Sequence, residues 1–319
     1  LLTILQPIYE EDFHPSSYGY RPRRSCHQAI SKASLFMRKY ELHHVVDMDL
    51  SRCFDTLDHD LILKFMRKRV SDGSILALVN KFLKSGVMKG NRIDEVTEGS
   101  PQGGVISPLL ANIYLNEFDQ FMMKRNYRIV RYADDILIMC SSQRSASHAL
   151  DVATDFLENT LRLTVNREKT HITDGLRGVR FLGVVIFNRY TVIQDEKIKA
   201  FKMKVKSLTK KCQGMNLEMV IRRLNPLLRG FGNYFRIANC KNLFKSLMEW
   251  IRRRLRAVQL KLWKKPRRLH RRLRQLGHNG DYLLIKMSCW RNSGSVLANM
   301  AMPNAWFKDL GLFHLTDVN

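Results

Sequence analysis

Arg128 to Cys140 reads RIVRYADDILIMC. Two runs rich in β-branched and aromatic residues meet at Ala133-Asp134, the pattern of a β-hairpin with a tight turn. That turn carries adjacent carboxylates, Asp134 and Asp135. Like charges on one tip repel, and a cation beside them relieves the repulsion. An isolated Asp-Asp pair more often faces water, so the pair alone decides nothing.

The flanking sequence gives the pair its weight. His44 to Leu50 (HVVDMDL) alternates, with Val46, Met48 and Leu50 facing one way and Asp47 and Asp49 the other. A charge among strand-forming apolar residues is costly unless it is paired or metal-bound. Carboxylates from neighbouring strands make a hard, oxygen-rich site suited to Mg²⁺. Two such ions about 4 Å apart can activate an attacking hydroxyl and stabilise a leaving pyrophosphate. Gly99 to Pro108 (GSPQGGVISP) leads glycines into a helix that opens near Ser107. Such a loop lets backbone N–H groups approach a substrate, although a plain tight loop reads the same way. Ser107 to Lys124 predicts a helix with Pro108 in its first turn, where the missing N–H costs nothing. Leu61 to Val70 predicts another, with Asp58, His59 and Asp60 at its capped start. Ser147 to Leu161 reads as an amphipathic helix and Val179 to Phe187 (VRFLGVVIF) as one strand. Lys169 in VNREKT is a candidate general acid or phosphate contact.

The whole chain has 319 residues, of which 45% are hydrophobic, so it folds around a core and has the length of two domains. No apolar run of about 18 residues exists, which excludes a membrane-spanning helix. The six cysteines show no Cys-x-x-Cys pair, which speaks against a zinc ribbon or a disulfide framework and for a reducing compartment. No targeting peptide is visible, and cytoplasmic or nucleoid-associated placement in a bacterium is expected. The chain opens on Leu1 rather than Met, so an amino-terminal segment is expected to be missing. Lys and Arg number 54 against 29 Asp and Glu, a net charge of +25. From Lys202 to Arg274 there are 23 basic residues and two acidic ones, Glu218 and Glu249. Ile251, Leu255, Val258 and Leu262 keep helical spacing within this stretch. Pro266 breaks that helix, and a second ends at Gly277. A face so poor in acids predicts a polyanionic partner, nucleic acid above all.

Order and spacing then bring in a family. Asp49, Gln102-Gly103, Tyr132-Ala133-Asp134-Asp135, Lys169 and Phe181-Leu182-Gly183 follow one another as reverse transcriptase palm motifs do. The match narrows at Phe13-His14-Pro15-Ser16-Ser17-Tyr18-Gly19-Tyr20-Arg21-Pro22, Ser51-Arg52-Cys53-Phe54-Asp55 and Ser107-Pro108-Leu109-Leu110-Ala111-Asn112. It extends to Gly230-Phe231-Gly232-Asn233-Tyr234-Phe235 and Trp250-Ile251-Arg252-Arg253-Arg254-Leu255-Arg256. The chain resembles group II intron-encoded reverse transcriptases and maturases over nearly its full length. No His-Asn-His spacing follows Trp290, which is similar to the endonuclease-lacking, group IIC-like class.

The resemblance implies an α+β fold: a right-hand polymerase palm, with a ferredoxin-like antiparallel sheet and helices, partial fingers and an α-helical thumb. Expected boundaries are 1–193 for fingers and palm, 194–277 for the thumb or maturase X domain, and 278–319 for a C-terminal segment that contacts DNA. Asp49, Asp134 and Asp135 are then the catalytic carboxylates, holding two Mg²⁺ together with the carbonyl of Leu50. Phe54, Gln102, Lys169 and Arg21 face the nucleotide. Phe54 is the bulky residue that stacks below the incoming sugar and excludes a 2′-OH. Arg24, Arg252, Arg253, Arg254, Arg256, Lys264, Lys265, Arg267 and Arg268 are expected to contact nucleic acid. The implied activity is RNA-directed DNA synthesis, with an RNA template or intron RNA, a DNA primer or target and dNTPs as partners and no membrane. Splicing and retrohoming of an intron follow from it. An RNA-binding maturase that need not polymerise, and a domesticated reverse transcriptase in phage defence, are the alternatives.

Overall fold

A computed structural model describes residues 1–84, 87–89, 92–94, 99, 104–210 and 214–318, with 87–89 and 92–94 described by backbone alone. The chain forms two compact units, Leu1–Tyr190 and Thr191–Asn319. The first contains α1 (Leu2–Glu10), α2 (Cys26–Lys39), β1 (His44–Asp49), α3 (His59–Met66), α4 (Gly73–Lys84), β2 (Val87–Lys89), β3 (Arg92–Asp94), α5 (Ser107–Lys124), β4 (Arg128–Tyr132), β5 (Asp135–Cys140), α6 (Gln143–Asp155), β6 (His171–Asp174), β7 (Val179–Phe181) and β8 (Val184–Ile186). Its central sheet runs β4-β5-β1-β6, every neighbouring pair antiparallel. This is the α+β arrangement expected from the sequence.

The alternation of residues along the strands sets the two faces of the sheet. Val46, Met48, Ile136 and Ile138 join a core built with Leu110, Tyr114 and Phe118 of α5 and Ala149 and Ala153 of α6. The opposite face carries Val45, Asp47 and Asp49 beside Met139, Leu137 and Asp135. α2 lies against β4 and β5. Val45 and Met139 are buried, whereas Asp47, Asp49 and Asp135 keep part of their surface in water. One face of the sheet is thus apolar along its length, and the other turns acidic toward the β4–β5 turn.

Several elements differ from their sequence reading. α3 stops at Met66, capped by Asp58, which accepts from Leu61 N–H, and turns take the chain on to Val70. Val179 to Phe187 is a hairpin, β7 against β8, because Leu182 (φ +46°) and Gly183 (φ +81°) both adopt the left-handed conformation of a tight two-residue turn. α6 begins at Gln143, capped by Ser142, and ends in a π-helical turn, Phe156–Thr160.

The second unit contains β9 (Thr191–Ile193), α7 (Asp195–Leu208), α8 (Leu217–Phe235), α9 (Lys241–Trp263), α10 (Pro266–Gln275), α11 (Val296–Ala301) and α12 (Asn304–Asp309). α9 is 23 residues long and starts well before Ile251. Phe231 of α8 stacks on Phe201 of α7 with ring centroids 4.0 Å apart. A Cβ on Gly232 would lie 2.8 Å from a methyl of Val318, so the tail lies directly on α8. The segment expected to contact DNA is packed within this unit: Ala298, Ala301, Met302, Phe307 and Leu315 are buried.

Cys53, Cys140 and Cys240 are buried and Cys26 and Cys289 are half-buried. Among the described residues no helix is long and apolar enough to cross a membrane.

Candidate active site

β1 and β5 pair so that Asp49 stands opposite Asp135. Tyr132 stands opposite Asp135 on the other side, leaving Ala133-Asp134 as a two-residue turn. The sequence therefore delivers three carboxylates to one end of the sheet by strand register alone. Burial first, then the charges of Asp47, Asp134 and Asp49, push the Asp135 carboxyl up to about 7. Burial also pushes Asp47 up to about 6, with His171 opposing and Asp49 adding to the rise. Carboxylates this mutually repulsive favour a cation among them.

Asp49 already has partners. Lys169 Nζ lies 3.2 Å from its Oδ2, and Asn166 Nδ2 donates to the same oxygen at 3.2 Å. Thr170 Oγ1 accepts from the Asp49 backbone N–H. Asn166 also bonds the N–H groups of Glu168 and Lys169, so the turn that presents Lys169 is built on the residue that holds Asp49. Among the described residues no group of three or more His, Cys, Asp or Glu side chains stands ready to hold a metal ion. Asp49, Asp134 and Asp135 share that end of the sheet without closing into such a group, and the Lys169 ammonium supplies positive charge beside Asp49. The donors are hard oxygens whose charges repel one another, which is the chemistry a divalent cation takes. Leu50 is buried in a bridge to Val165. The flanking bonds, Ser51 N–H to Thr164 O and Asn166 N–H to Asp49 O, do not use its carbonyl.

Phe54 sits in a single 3₁₀ turn, Cys53–Asp55, entered through Arg52 in the left-handed conformation. Its half-buried ring packs edge-to-face with Tyr20, the ring centroids 6.2 Å apart. Gln102 and Gly103 lie outside the described residues. Gly99, which enters their loop, is fixed by His59 Nε2 against its carbonyl at 2.6 Å and by its own N–H to Leu57 O. His59 thus holds Gly99, and the helix cap is left to Asp58.

Two expectations about arginines are corrected. Arg21 is not available to a nucleotide: its side chain is 3% exposed, paired to Glu10 at 2.6 Å and donating to the carbonyls of His14 and Ser17. Arg24 remains near the surface, its guanidinium over the ring of Tyr18. In α9 the basic run is largely internal. Arg252 is buried with Nη1 2.9 Å from His314 Nε2, and Arg256 is buried with Nε donating to Met302 O at 3.0 Å. Arg254 donates to Thr209 Oγ1 and lies over the rings of Trp250 and Trp290. These three hold the unit together, because the helix face that carries them meets the C-terminal segment. Arg253 is exposed beside Trp290. Lys264, Lys265, Arg267 and Arg268 are exposed, and so are Arg271 and Arg274, while α10 buries only Leu269 and Leu273. α10 is thus the outward basic surface.

Sequence reasoning passed over Asn166, Tyr20, Asn112, Asp119 and Arg131. A polar Asn112 and Asp119, seven residues apart among Leu115 and Phe118 and so on one helix face, was the available signal.

Residues 1–186 match the family described as reverse transcriptase (RNA-dependent DNA polymerase), and residues 198–277 match the group II intron, maturase-specific domain. The chain is 34% identical over 220 residues to protein YkfC of Escherichia coli (strain K12), covering 57% of this chain and 58% of that one. It is 27% identical over 245 residues to the group II intron-encoded protein LtrA of Lactococcus lactis subsp. cremoris, covering 56% of this chain and 40% of that one. The chain thus spans roughly half the length of the curated relatives it matches. Among solved structures, telomerase from Candida albicans aligns at a TM-score of 0.48 and 15% identity, covering 100% of this chain and 56% of that one. With one family spanning the acidic end of the sheet and the other the basic helices, the chain belongs to the reverse transcriptases that carry a group II intron maturase-specific domain.

Proposed function

We propose that the protein is an RNA-directed DNA polymerase of the group II intron type, which extends a DNA 3′-OH along an RNA template and also binds intron RNA for splicing and retrohoming. The observation that carries this reading is the register that sets Asp49 opposite Asp135, with Asp134 on the adjoining two-residue turn. Asp49, Asp134, Asp135 and the Leu50 carbonyl would hold two Mg²⁺, which when bound supply Lewis-acid activation of the 3′-OH and of the departing pyrophosphate. Lys169 then exchanges its contact with Asp49 for the leaving phosphates. Phe54, braced by Tyr20, lies below the sugar and selects against a 2′-OH. Gln102 is proposed at the edge of the nucleotide and template.

Residues 1–193 would serve as partial fingers and palm, 194–277 as thumb and maturase domain, and 278–319 as a C-terminal segment. The outward lysines and arginines of α10 would track the phosphate backbone.

The test is Asp134→Ala, assayed for cDNA synthesis and for RNA binding. Loss of a metal ligand should raise the barrier by several kcal/mol, well beyond tenfold in rate, while RNA affinity stays within about twofold because it rests on the basic helices. Synthesis retained within tenfold removes Asp134 from the metal site. A parent protein that binds intron RNA and incorporates no deoxynucleotide leaves the maturase reading alone.

A further inference from the structure

Arg131 lies in β4 with its side chain fully buried, and so is its partner Asp119 in α5. A guanidinium in a protein core is costly unless its donors are answered. Here Nε and Nη2 engage both oxygens of Asp119, at 2.9 and 2.5 Å. Nη1 takes two further acceptors: Asn112 Oδ1 at 3.1 Å and the carbonyl of Ala133 at 3.0 Å. Ala133 holds φ +59°, a left-handed conformation that costs an alanine energy, and it is the residue immediately before Asp134. The buried arginine therefore grips the strained peptide that presents the carboxylate.

The same cluster reaches a second element. Asn112 Nδ2 donates to Gly19 O at 2.9 Å. Gly19 presses on the turn so closely that a Cβ there would lie 2.3 Å from Ala133 N. Tyr18 N–H donates to Arg131 O and Arg131 N–H to Ser16 O, so residues 16–18 run along β4. Tyr20, the residue after Gly19, is left-handed at φ +56° and packs edge-to-face with Phe54.

We infer that Arg131, Asp119 and Asn112 form a positioning cradle that couples the turn bearing Asp134 to the Tyr20–Phe54 aromatic pair. The three residues touch no substrate. They make the placement of the carboxylate and of the sugar-facing ring one event, and the catalytic consequence rests on the polymerase reading above.

The test uses Asn112→Ala, which removes both arms of the amide without removing a charge. Arg131→Lys is the second variant, keeping the charge beside Asp119 while giving up the forked contacts. Amide hydrogen exchange is followed in peptides covering 18–20 and 132–135, with a peptide from α9 as reference. Exchange is expected to rise together in the first two by about tenfold or more and to stay unchanged in α9. In primer extension, kcat falls on the order of tenfold to a hundredfold. Template-primer affinity holds, and the preference for dNTP over NTP narrows. Exchange rising at one segment alone or at neither, both segments opening with kcat and sugar preference unchanged, or loss of the whole fold in both variants overturns the inference. A parent without polymerase activity whose variants still open both segments together upholds the cradle and sinks the polymerase reading instead.

Discussion

Phe54 and Asp119 show how differently two side chains in one unit can be tested. Phe54 is half-buried and edge-to-face with Tyr20, and trimming it leaves the core largely intact. Phe54→Ala is therefore expected to keep dNTP incorporation and to admit ribonucleotides, read as a fall in the dNTP over NTP ratio of kcat/KM. An unchanged ratio removes Phe54 from the sugar pocket. Asp119→Ala acts on stability, because it strands the buried Arg131 guanidinium without a counter-charge. Breaking such a pair costs about 3–5 kcal/mol. Urea unfolding of the variant should show that loss, and a change under 1 kcal/mol would mean that water or another acceptor answers the arginine. The carboxylates were legible from the sequence because a charge in a strand-forming run is conspicuous. Arg131 was not, because an arginine among Ile129, Val130 and Tyr132 reads as one more outward-facing strand position. Only the fold brings Asp119 to it, from a helix 12 residues earlier.

At the scale of elements, the long amphipathic segments were legible and the short ones were not. Ser107 to Lys124 forms α5 with the bounds its Ser-Pro start predicted. Val179 to Phe187 reads as one strand in the sequence because its apolar run hides the turn at Leu182-Gly183, where two left-handed residues reverse the chain. The basic run misled in another way. Composition alone cannot separate the arginines of α9 that face the C-terminal segment from those of α10 that face water. Arg252 and Arg256 brace the unit, so replacing them confounds binding with folding. Arg267, Arg268, Arg271 and Arg274 are the better probe, since all four are exposed on one short helix. Their joint replacement by Ala is expected to lower the slope of log affinity against log salt by about three, at roughly 0.7–0.9 per phosphate contact. The unit's melting temperature should hold, because Leu269 and Leu273 still anchor the helix. A slope that does not change would move the nucleic-acid track off α10.

Over the whole molecule, the family boundaries fall on the two compact units, with the acidic end of the sheet in one and the densest basic run in the other. Each unit holds both buried and half-buried cysteines. Burial raises the thiols of Cys140 and Cys240, and burial followed by the neighbouring Asp134 charge pushes Cys53 up to about 12. A thiol reacts as its thiolate, so all three should be inert at neutral pH. Cys26 in the first unit and Cys289 in the second are the more open. With Cys212, which lies outside the described residues, replaced by Ser, a maleimide is expected to modify Cys26 and Cys289 well before the other three, as read by peptide mass spectrometry. Early modification of Cys53 would mean that the turn beside it opens. The half-buried pair therefore gives the protein one natural attachment point per unit, and a donor and acceptor dye placed there would report any change in the separation of its two halves when RNA is added.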